Sequence, residues 1–144
     1  MRKTLTPEDL SNLLNQPRLA VLATSFADGT TLLSPVWHEW RDGGFTILVG
    51  TNDVKARHIR RDPRVSVVVA DDLPPYAGIE VRARAEIVPT DGLTTLRRLA
   101  VRYLGPRRGN AYADGSDAST QLTLRIVPGV LRTWDFADEA IYQD

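Results

Sequence analysis

The chain has 144 residues and a formal net charge of zero at pH 7, with 18 basic and 18 acidic residues. That balance argues against a dedicated nucleic-acid-binding protein, which carries a basic excess, and the absence of cysteine excludes disulfides, thiolate metal sites and cysteine nucleophiles. No segment approaches the roughly 20 apolar residues of a membrane span. We therefore expect one soluble, cytoplasmic domain over residues 1–144, which binds neither nucleic acid nor membrane.

The first third of the sequence predicts a short helix followed by an antiparallel meander. Thr6 is typical of an N-cap, and proline follows it, so a helix is expected over residues 6–15. Three strands come next, at Arg18–Ser25, Thr31–Arg41 and Phe45–Val49. The turns between them contain Asp and Gly, which tolerate a positive φ, so they are typical of hairpins.

The middle of the chain predicts a basic helix and two further strands. Val54–Arg61 is the helix, and Asp62-Pro63 ends it because proline disfavours helical backbone in the residue before it. Val65–Ala70 is rich in β-branched residues, which favour strands. Ile79–Ile87 alternates apolar and charged side chains, the period-two pattern of a half-buried strand.

The last third predicts one more helix, a loop and a strand. The helix starts at Thr90 or Asp91 and ends at Gly105. Residues 106–120 are polar and rich in small residues, so we expect a poorly ordered loop that covers a ligand with Tyr112.

A strand at Leu122–Val127 completes the order, and Val130–Trp134 extends it past a bend. Runs of strands with inserted helices are typical of an antiparallel barrel with helices packed outside.

The segment after the third strand is the main candidate for an anion site. Thr51 precedes a helix whose first turn carries Lys55 and Arg57. A helix N-terminus offers free N–H groups and the positive end of the helix dipole, which suit a phosphate. A solvated basic helix capped by Asn52 or Asp53 explains the same pattern, so the charges alone leave both interpretations open.

The second strand carries the residues that could contact a planar ligand. Ser34–Trp40 includes two tryptophans, which can stack on a ligand or fill the core or a dimer interface. His38 and His58 are the only histidines, and their spacing fits neither a metal motif nor a catalytic triad. We expect no metal site, and the pattern identifies no catalytic side chain.

Six segments of the chain form a pattern when they are taken together: Leu22–Thr24, Asp28-Gly29, Ser34–Trp37, Lys55–Val65, Ile79–Ala85 and Arg102–Gly105. They resemble the pyridoxamine phosphate oxidase-like, flavin-binding split-barrel superfamily, and within it the branch that uses a deazaflavin coenzyme (F-420). They occur in the family's order and span most of the chain. The resemblance implies a mainly β fold, an antiparallel six-stranded split β-barrel with peripheral helices. It also implies a homodimer with two cofactor sites shared across the interface.

The resemblance further assigns cofactor-binding residues. Lys55 and Arg57, supported by Thr51, would face the cofactor phosphate, and Arg60 would follow the tail of a longer coenzyme. The cofactor ring would lie along the second strand, at Ser34, Pro35, Val36 and Trp37.

Two departures bear on the reaction. The vitamin-forming oxidase has a phosphate-binding arginine on the second strand, where this chain has Ser34 and Pro35, and its C-terminal arginine motif has no counterpart here. Pyridoxamine phosphate oxidation is therefore not expected. The expected function is hydride transfer from a deazaflavin to an unsaturated small organic molecule. The alternatives are an FMN-dependent oxidoreductase of the same fold, or a protein that binds flavin or haem without turnover.

Overall fold

The computed structural model describes residues 1–143, which form three α-helices, nine β-strands and two short 3-10 turns. The helices are α1 (Ser11–Leu14), α2 (Val54–Arg61) and α3 (Thr94–Asp114). The strands are β1 (Ala20–Ser25), β2 (Thr31–Val36), β3 (Glu39–Arg41), β4 (Gly44–Gly50), β5 (Arg64–Ala70), β6 (Ala77–Arg84), β7 (Glu86–Val88), β8 (Gln121–Ile126) and β9 (Val130–Asp135).

The strands form two antiparallel sheets. The five-stranded sheet has the order β2-β1-β5-β6-β9, and the four-stranded sheet has the order β3-β4-β8-β7. The prediction of a mainly β, antiparallel split barrel with peripheral helices is confirmed, although the sheets do not close into a continuous cylinder. The described residues contain nine strands where six were predicted.

The extra strands arise where the chain passes from one sheet to the other. The predicted strand Thr31–Arg41 is interrupted at Trp37-His38, so β2 and β3 lie in different sheets. Ile79–Ile87 is interrupted in the same way at Ala85, between β6 and β7. Val130–Asp135 does not extend β8 but is a separate strand that pairs with β6. Alternation of residue types does not reveal such bends.

The core lies on the inner faces of the two sheets. Along β6 the side chains alternate as the sequence predicts, and Ile79 and Val81 are fully buried, as is Val67 on β5. Phe45 and Leu124 face them from the four-stranded sheet. The apolar face of β6 is therefore buried in the protein's own core and is not available to a partner subunit.

The prediction of a loop at residues 106–120 is wrong for residues 106–114, which are helical. Gly105 has a positive φ of 83°, as expected at a helix end, but Pro106 then starts a second helical segment. Proline suits the first position of a helix because its missing N–H has no intrahelical partner there. The second segment folds back on the first, where Arg97 Nη2 lies 2.7 Å from Asp114 Oδ1.

At the other end of the chain, α1 is shorter than predicted. Thr6 and Asp9 bond each other reciprocally: the Thr6 N–H donates to Asp9 Oδ2 at 2.8 Å and the Asp9 N–H donates to Thr6 Oγ1 at 3.2 Å. Turns fill residues 7–10, so α1 is only four residues long. Of the helices in the described part of the chain, none has the length and hydropathy needed to cross a membrane.

Candidate functional site

A cavity of about 220 Å³ brings together strand and helix residues that are far apart in the sequence. Pro35, Val36 and Trp37 line it from the end of β2, Lys55 from α2 and Tyr112 from α3. We call it the Lys55 cavity. Four of the eight cofactor-binding residues predicted from the resemblance thus line the same cavity, namely Pro35, Val36, Trp37 and Lys55.

Trp37 is held in place by an aromatic stack. Its ring lies 5.2 Å from the ring of Tyr103 at an interplanar angle of 6°, and Tyr112 contacts it at 5.6 Å and 59°. The Tyr103 hydroxyl donates to the carbonyl of Arg18 at 2.6 Å and accepts from the N–H of His38 at 3.0 Å. One face of Trp37 is therefore covered by protein, and only the remaining surface is available to a ligand.

Arg102 fixes the chain on both sides of this stack. Its guanidinium donates to the carbonyls of Leu14 at 2.9 Å, His38 at 3.0 Å and Asn15 at 3.1 Å, and also to that of Gln16. Arg102 thereby ties α3 to the end of α1 and to the bend after β2. The Arg102–Gly105 segment does not line the cavity but supports its wall, because Tyr103 stacks on Trp37.

Lys55 is paired with a neighbouring carboxylate. Lys55 Nζ lies 2.9 Å from Asp53 Oδ2, which also accepts the N–H of Gly50 at 3.0 Å. These two bonds hold the pKa of Asp53 below its usual value. Because Asp53 is turned towards Gly50 and Lys55, its side chain makes no capping hydrogen bond to α2. The first N–H groups of α2 thus lack a side-chain cap next to Lys55.

The other predicted residues lie away from the cavity lining. Thr51 Oγ1 donates to the carbonyl of Ser119 at 3.1 Å, and Arg60 Nη1 donates to the carbonyl of Thr51 at 3.0 Å. Arg57 is exposed, and Ser34 is half-buried within β2. Asp53 and Gln121 line the cavity without having been predicted. Only the position of Asp53 beside Lys55 offered a signal for this in the sequence.

His38 is fully buried, and neither ring nitrogen has a hydrogen-bond partner among the described residues. Burial, with a smaller effect of the Arg102 charge, lowers the pKa of His38 to about 4. Its imidazole is therefore neutral at pH 7 and packs edge-on against Phe45 at 5.4 Å. Within residues 1–143, no three His, Asp or Glu side chains cluster in a way that could hold a metal ion.

The sequence profile of a family described as pyridoxamine 5'-phosphate oxidase matches residues 6–135, which include both sheets and the whole cavity lining. The chain belongs to this family. Comparison with curated proteins finds no match.

Solved structures with the same fold include proteins of several kinds. A conserved hypothetical protein of Mycobacterium tuberculosis is 28% identical, with a TM-score of 0.76 over 92% of this chain and 86% of that chain. An F420 reductase is also 28% identical, with a TM-score of 0.73 over 88% of this chain and 98% of that chain. The haem storage protein of Vibrio cholerae shares the fold at 23% identity, with a TM-score of 0.65 over 91% and 94% of the two chains. This chain is thus similar over most of its length to an F420 reductase.

Proposed function

We propose that this chain is an oxidoreductase that uses a deazaflavin coenzyme of the F420 type to reduce an unsaturated small organic molecule. The observation that carries the proposal is the joint placement of Lys55, at the N-terminal turn of α2, and Pro35–Trp37 on one cavity. Family membership and the similarity to an F420 reductase support the same conclusion.

The donor set of the cavity suits a planar ring that carries an anionic tail. Pro35 and Val36 contribute backbone and apolar groups to the lining, while Lys55 and the uncapped N–H groups of α2 offer donors to an anion that displaces Asp53 from Lys55. The volume of about 220 Å³ is below the roughly 300–1,000 Å³ of complete small-molecule sites. The cavity therefore holds only part of such a coenzyme, and the rest would extend beyond it.

The protein's role in the proposed reaction is to bind and orient the coenzyme and to shield it from solvent. When bound, the coenzyme supplies the hydride. Lys55 would hold its phosphate, the residues at the end of β2 would lie along its ring, and the stack of Trp37 on Tyr103 would support that wall. Tyr112 closes the side next to α3. No histidine lines the cavity, so neither His38 nor His58 supplies the proton that completes the reduction.

The cofactor is tested by titrating the purified protein with oxidised deazaflavin and with FMN under identical conditions. We expect tighter binding of the deazaflavin, because the chain has Ser34 and Pro35 in place of an FMN-clamping arginine. Reduced deazaflavin should then be consumed in the presence of a conjugated acceptor. Tight FMN binding without measurable deazaflavin affinity would promote the FMN-dependent alternative. Coenzyme binding without turnover across a panel of acceptors would favour a carrier.

Haem binding is less well supported. A haem iron needs an axial ligand, most often histidine. His38 is fully buried, and His58 is nearly so, with Nδ1 2.9 Å from Thr24 Oγ1. Neither imidazole is presented to a surface cleft.

A further inference from the structure

The Lys55 cavity carries one charged side chain of each sign. Within residues 1–143, Asp53 and Lys55 are the charged residues in its lining, and Tyr112 and Gln121 are the other polar ones. Lys55 Nζ lies 2.9 Å from Asp53 Oδ2, so the two groups form a contact ion pair. The place that would take the phosphate of the coenzyme is therefore formally neutral before a ligand binds.

The Asp53 carboxylate is held in place by more than Lys55. Its Oδ2 accepts the N–H of Gly50 at 3.0 Å, and the N–H of Asp53 donates to the carbonyl of Gly50 at 3.0 Å, so the two residues bond each other reciprocally. A Cβ on Gly50 would lie 2.8 Å from Asp53 Cγ, because the carboxylate packs directly over this glycine. An anion that takes Lys55 from Asp53 therefore leaves the carboxylate beside it.

Little in the fold requires the negative charge of Asp53. The residue occupies the N-cap position of α2, yet its side chain makes no capping hydrogen bond. The N–H of Gly50 needs an acceptor oxygen, and an asparagine side chain also supplies one. The charge adds a modest interaction with the helix dipole, and its larger effect falls on an anion bound in the cavity.

The distances bring this charge close to a bound phosphate. A phosphate oxygen that accepts a charge-assisted hydrogen bond from Lys55 lies about 2.8 Å from Nζ, and Asp53 Oδ2 lies 2.9 Å from the same atom. The two oxygens are then no more than about 6 Å apart. At about 6 Å, repulsion between two unit charges weakens binding roughly threefold even with the screening of bulk water, and more strongly in a partly buried site.

Phosphate esters differ in the charge that they bring to this place. A phosphate that is esterified on both sides, within a longer chain, carries one negative charge. A terminal phosphate is esterified once, has a second pKa of about 6 and carries nearly two negative charges at about pH 8. Repulsion by Asp53 therefore acts once on a phosphodiester and nearly twice on a phosphomonoester.

We propose that Asp53 is a specificity-determining residue of the Lys55 cavity, which selects against a phosphomonoester and in favour of a phosphodiester. This assignment rests on the proposed function, since it takes the Lys55 cavity as the coenzyme site. The phosphate of FMN is terminal, whereas the phosphate of a longer deazaflavin coenzyme is followed by a tail and is a diester. Asp53 thus supplies a second reason, besides Ser34 and Pro35, for the deazaflavin to bind more tightly than FMN.

Titration of the full chain at about pH 8 with FMN and with the methyl ester of FMN tests this role. The two flavins share the ring and the side chain, and they differ by one negative charge on the phosphate. Asp53→Asn keeps an acceptor for the N–H of Gly50 and removes the charge. We expect the variant to bind FMN about tenfold more tightly and the methyl ester about threefold more tightly, so that the ratio of the two affinities shifts about threefold towards FMN.

Asp42→Asn is the matched control, since it makes the same change in net charge at a side chain that is 88% exposed and outside the cavity lining. Asparagine also tolerates the positive φ of 51° at Asp42. A change in the shape of the cavity would move both affinities together, whereas the charge of Asp53 moves their ratio.

The proposal fails if Asp53→Asn leaves the ratio at its native value, shifts it no more than Asp42→Asn does, or still rejects FMN altogether. Those outcomes leave the proposed function standing when the deazaflavin binds. Absence of binding by FMN, its methyl ester and the deazaflavin alike would instead overturn the proposed function, and the role of Asp53 with it.

Discussion

Among single residues, Lys55 has the clearest expected effect on ligand binding. Its ammonium is the one basic group in the lining of the Lys55 cavity, and its ion pair with Asp53 is partly exposed. Lys55→Ala should weaken coenzyme binding by about 1.5–3 kcal/mol, the range for hydrogen bonds to charged groups. The free energy of unfolding should change by less than about 1 kcal/mol, because partly exposed ion pairs contribute little.

Fluorescence titration and urea unfolding measure the two quantities separately. Arg84→Ala, which removes an exposed positive charge outside the cavity, serves as the control for net charge. Equal coenzyme affinity in Lys55→Ala and the native protein would show that α2 is only a solvated basic helix.

His38 provides a prediction about pH. Its pKa is about 4 in the folded chain and 6.5 in the unfolded chain. Between these values only the unfolded chain takes up the proton, so the free energy of unfolding should fall as the pH drops from 6.5 to 4. The full loss is about 3 kcal/mol, at 1.36 kcal/mol per unit. Burial also lowers the pKa of His58, which adds to the loss in the same direction.

The variant His38→Leu isolates the share of His38. Neither ring nitrogen makes a hydrogen bond within the described chain, so an apolar side chain of similar size leaves no partner unsatisfied. Urea unfolding at pH 7 and pH 5 should show a smaller difference in this variant than in the native protein. Asp62, with a pKa of about 2, loses its contribution only at lower pH. Turnover at pH 7 should be retained, because His38 does not line the cavity.

Among the structural elements, α3 carries a prediction at its fold-back. A Cβ added to Gly109 would lie 2.4 Å from Val101 Cα, which is backbone and cannot move aside. Gly109→Ala should therefore push the second helical segment away and lower the free energy of unfolding by about 1–3 kcal/mol, as overpacking does. Tyr112 lies on that segment, so its contact with Trp37 should loosen and coenzyme affinity should fall.

Gly115→Ala is the matched control at the end of the same helix. The nearest atom to a Cβ there is 3.6 Å away, and Gly115 has an ordinary φ of −87°. Thermal unfolding should show Gly115→Ala close to the native protein and Gly109→Ala well below it. Equal midpoints for the two variants would contradict the close packing of the two segments.

The elements that the sequence predicts well are those with a local cause. The hairpin at Asp28-Gly29 depends on a glycine with φ of 86°, and β5 depends on a run of β-branched residues. The missed helix at residues 106–114 also has a local signal. Gly105-Pro106 ends one helix, but the same pair starts the next, and the polar composition of the second segment concealed its helical character.

The candidate site was predictable only in part, because its geometry depends on long-range contacts. Pro35–Trp37 and Lys55 were assigned through resemblance and do share a cavity. The stacking of Trp37 on Tyr103 joins residues 66 positions apart, which no local pattern encodes. Likewise, the Arg98 guanidinium donates hydrogen bonds to both carboxylate oxygens of the buried Glu39, which lies 59 positions away in the sequence.

For the whole molecule, we predict that the proposed site depends on assembly. The apolar face of β6 is buried in the protein's own core, so it does not argue for a dimer. The edge strand β2 does argue for a dimer. Leu33 is 64% exposed and pairs with Ala23 on the outer face of the sheet. Pro35, two residues further on, is also exposed and lines the Lys55 cavity. A second copy packed against this edge would cover Leu33 and would complete a cavity that is too small for a whole coenzyme.

We therefore predict a homodimer in which the β2 edge is part of the interface. Leu33→Lys should shift the protein towards monomer, because burying a charge at an interface without a partner is costly. The variant should also weaken coenzyme binding, because the partner's surface beside Pro35 is then lost. Leu73→Lys places the same charge on an equally exposed leucine in the β5–β6 loop and should leave both properties unchanged. Light scattering at micromolar concentration gives the mass, and coenzyme titration gives the affinity. A native protein that scatters as a monomer would rule out the shared site, and a Leu33→Lys dimer with full affinity would move the interface away from β2.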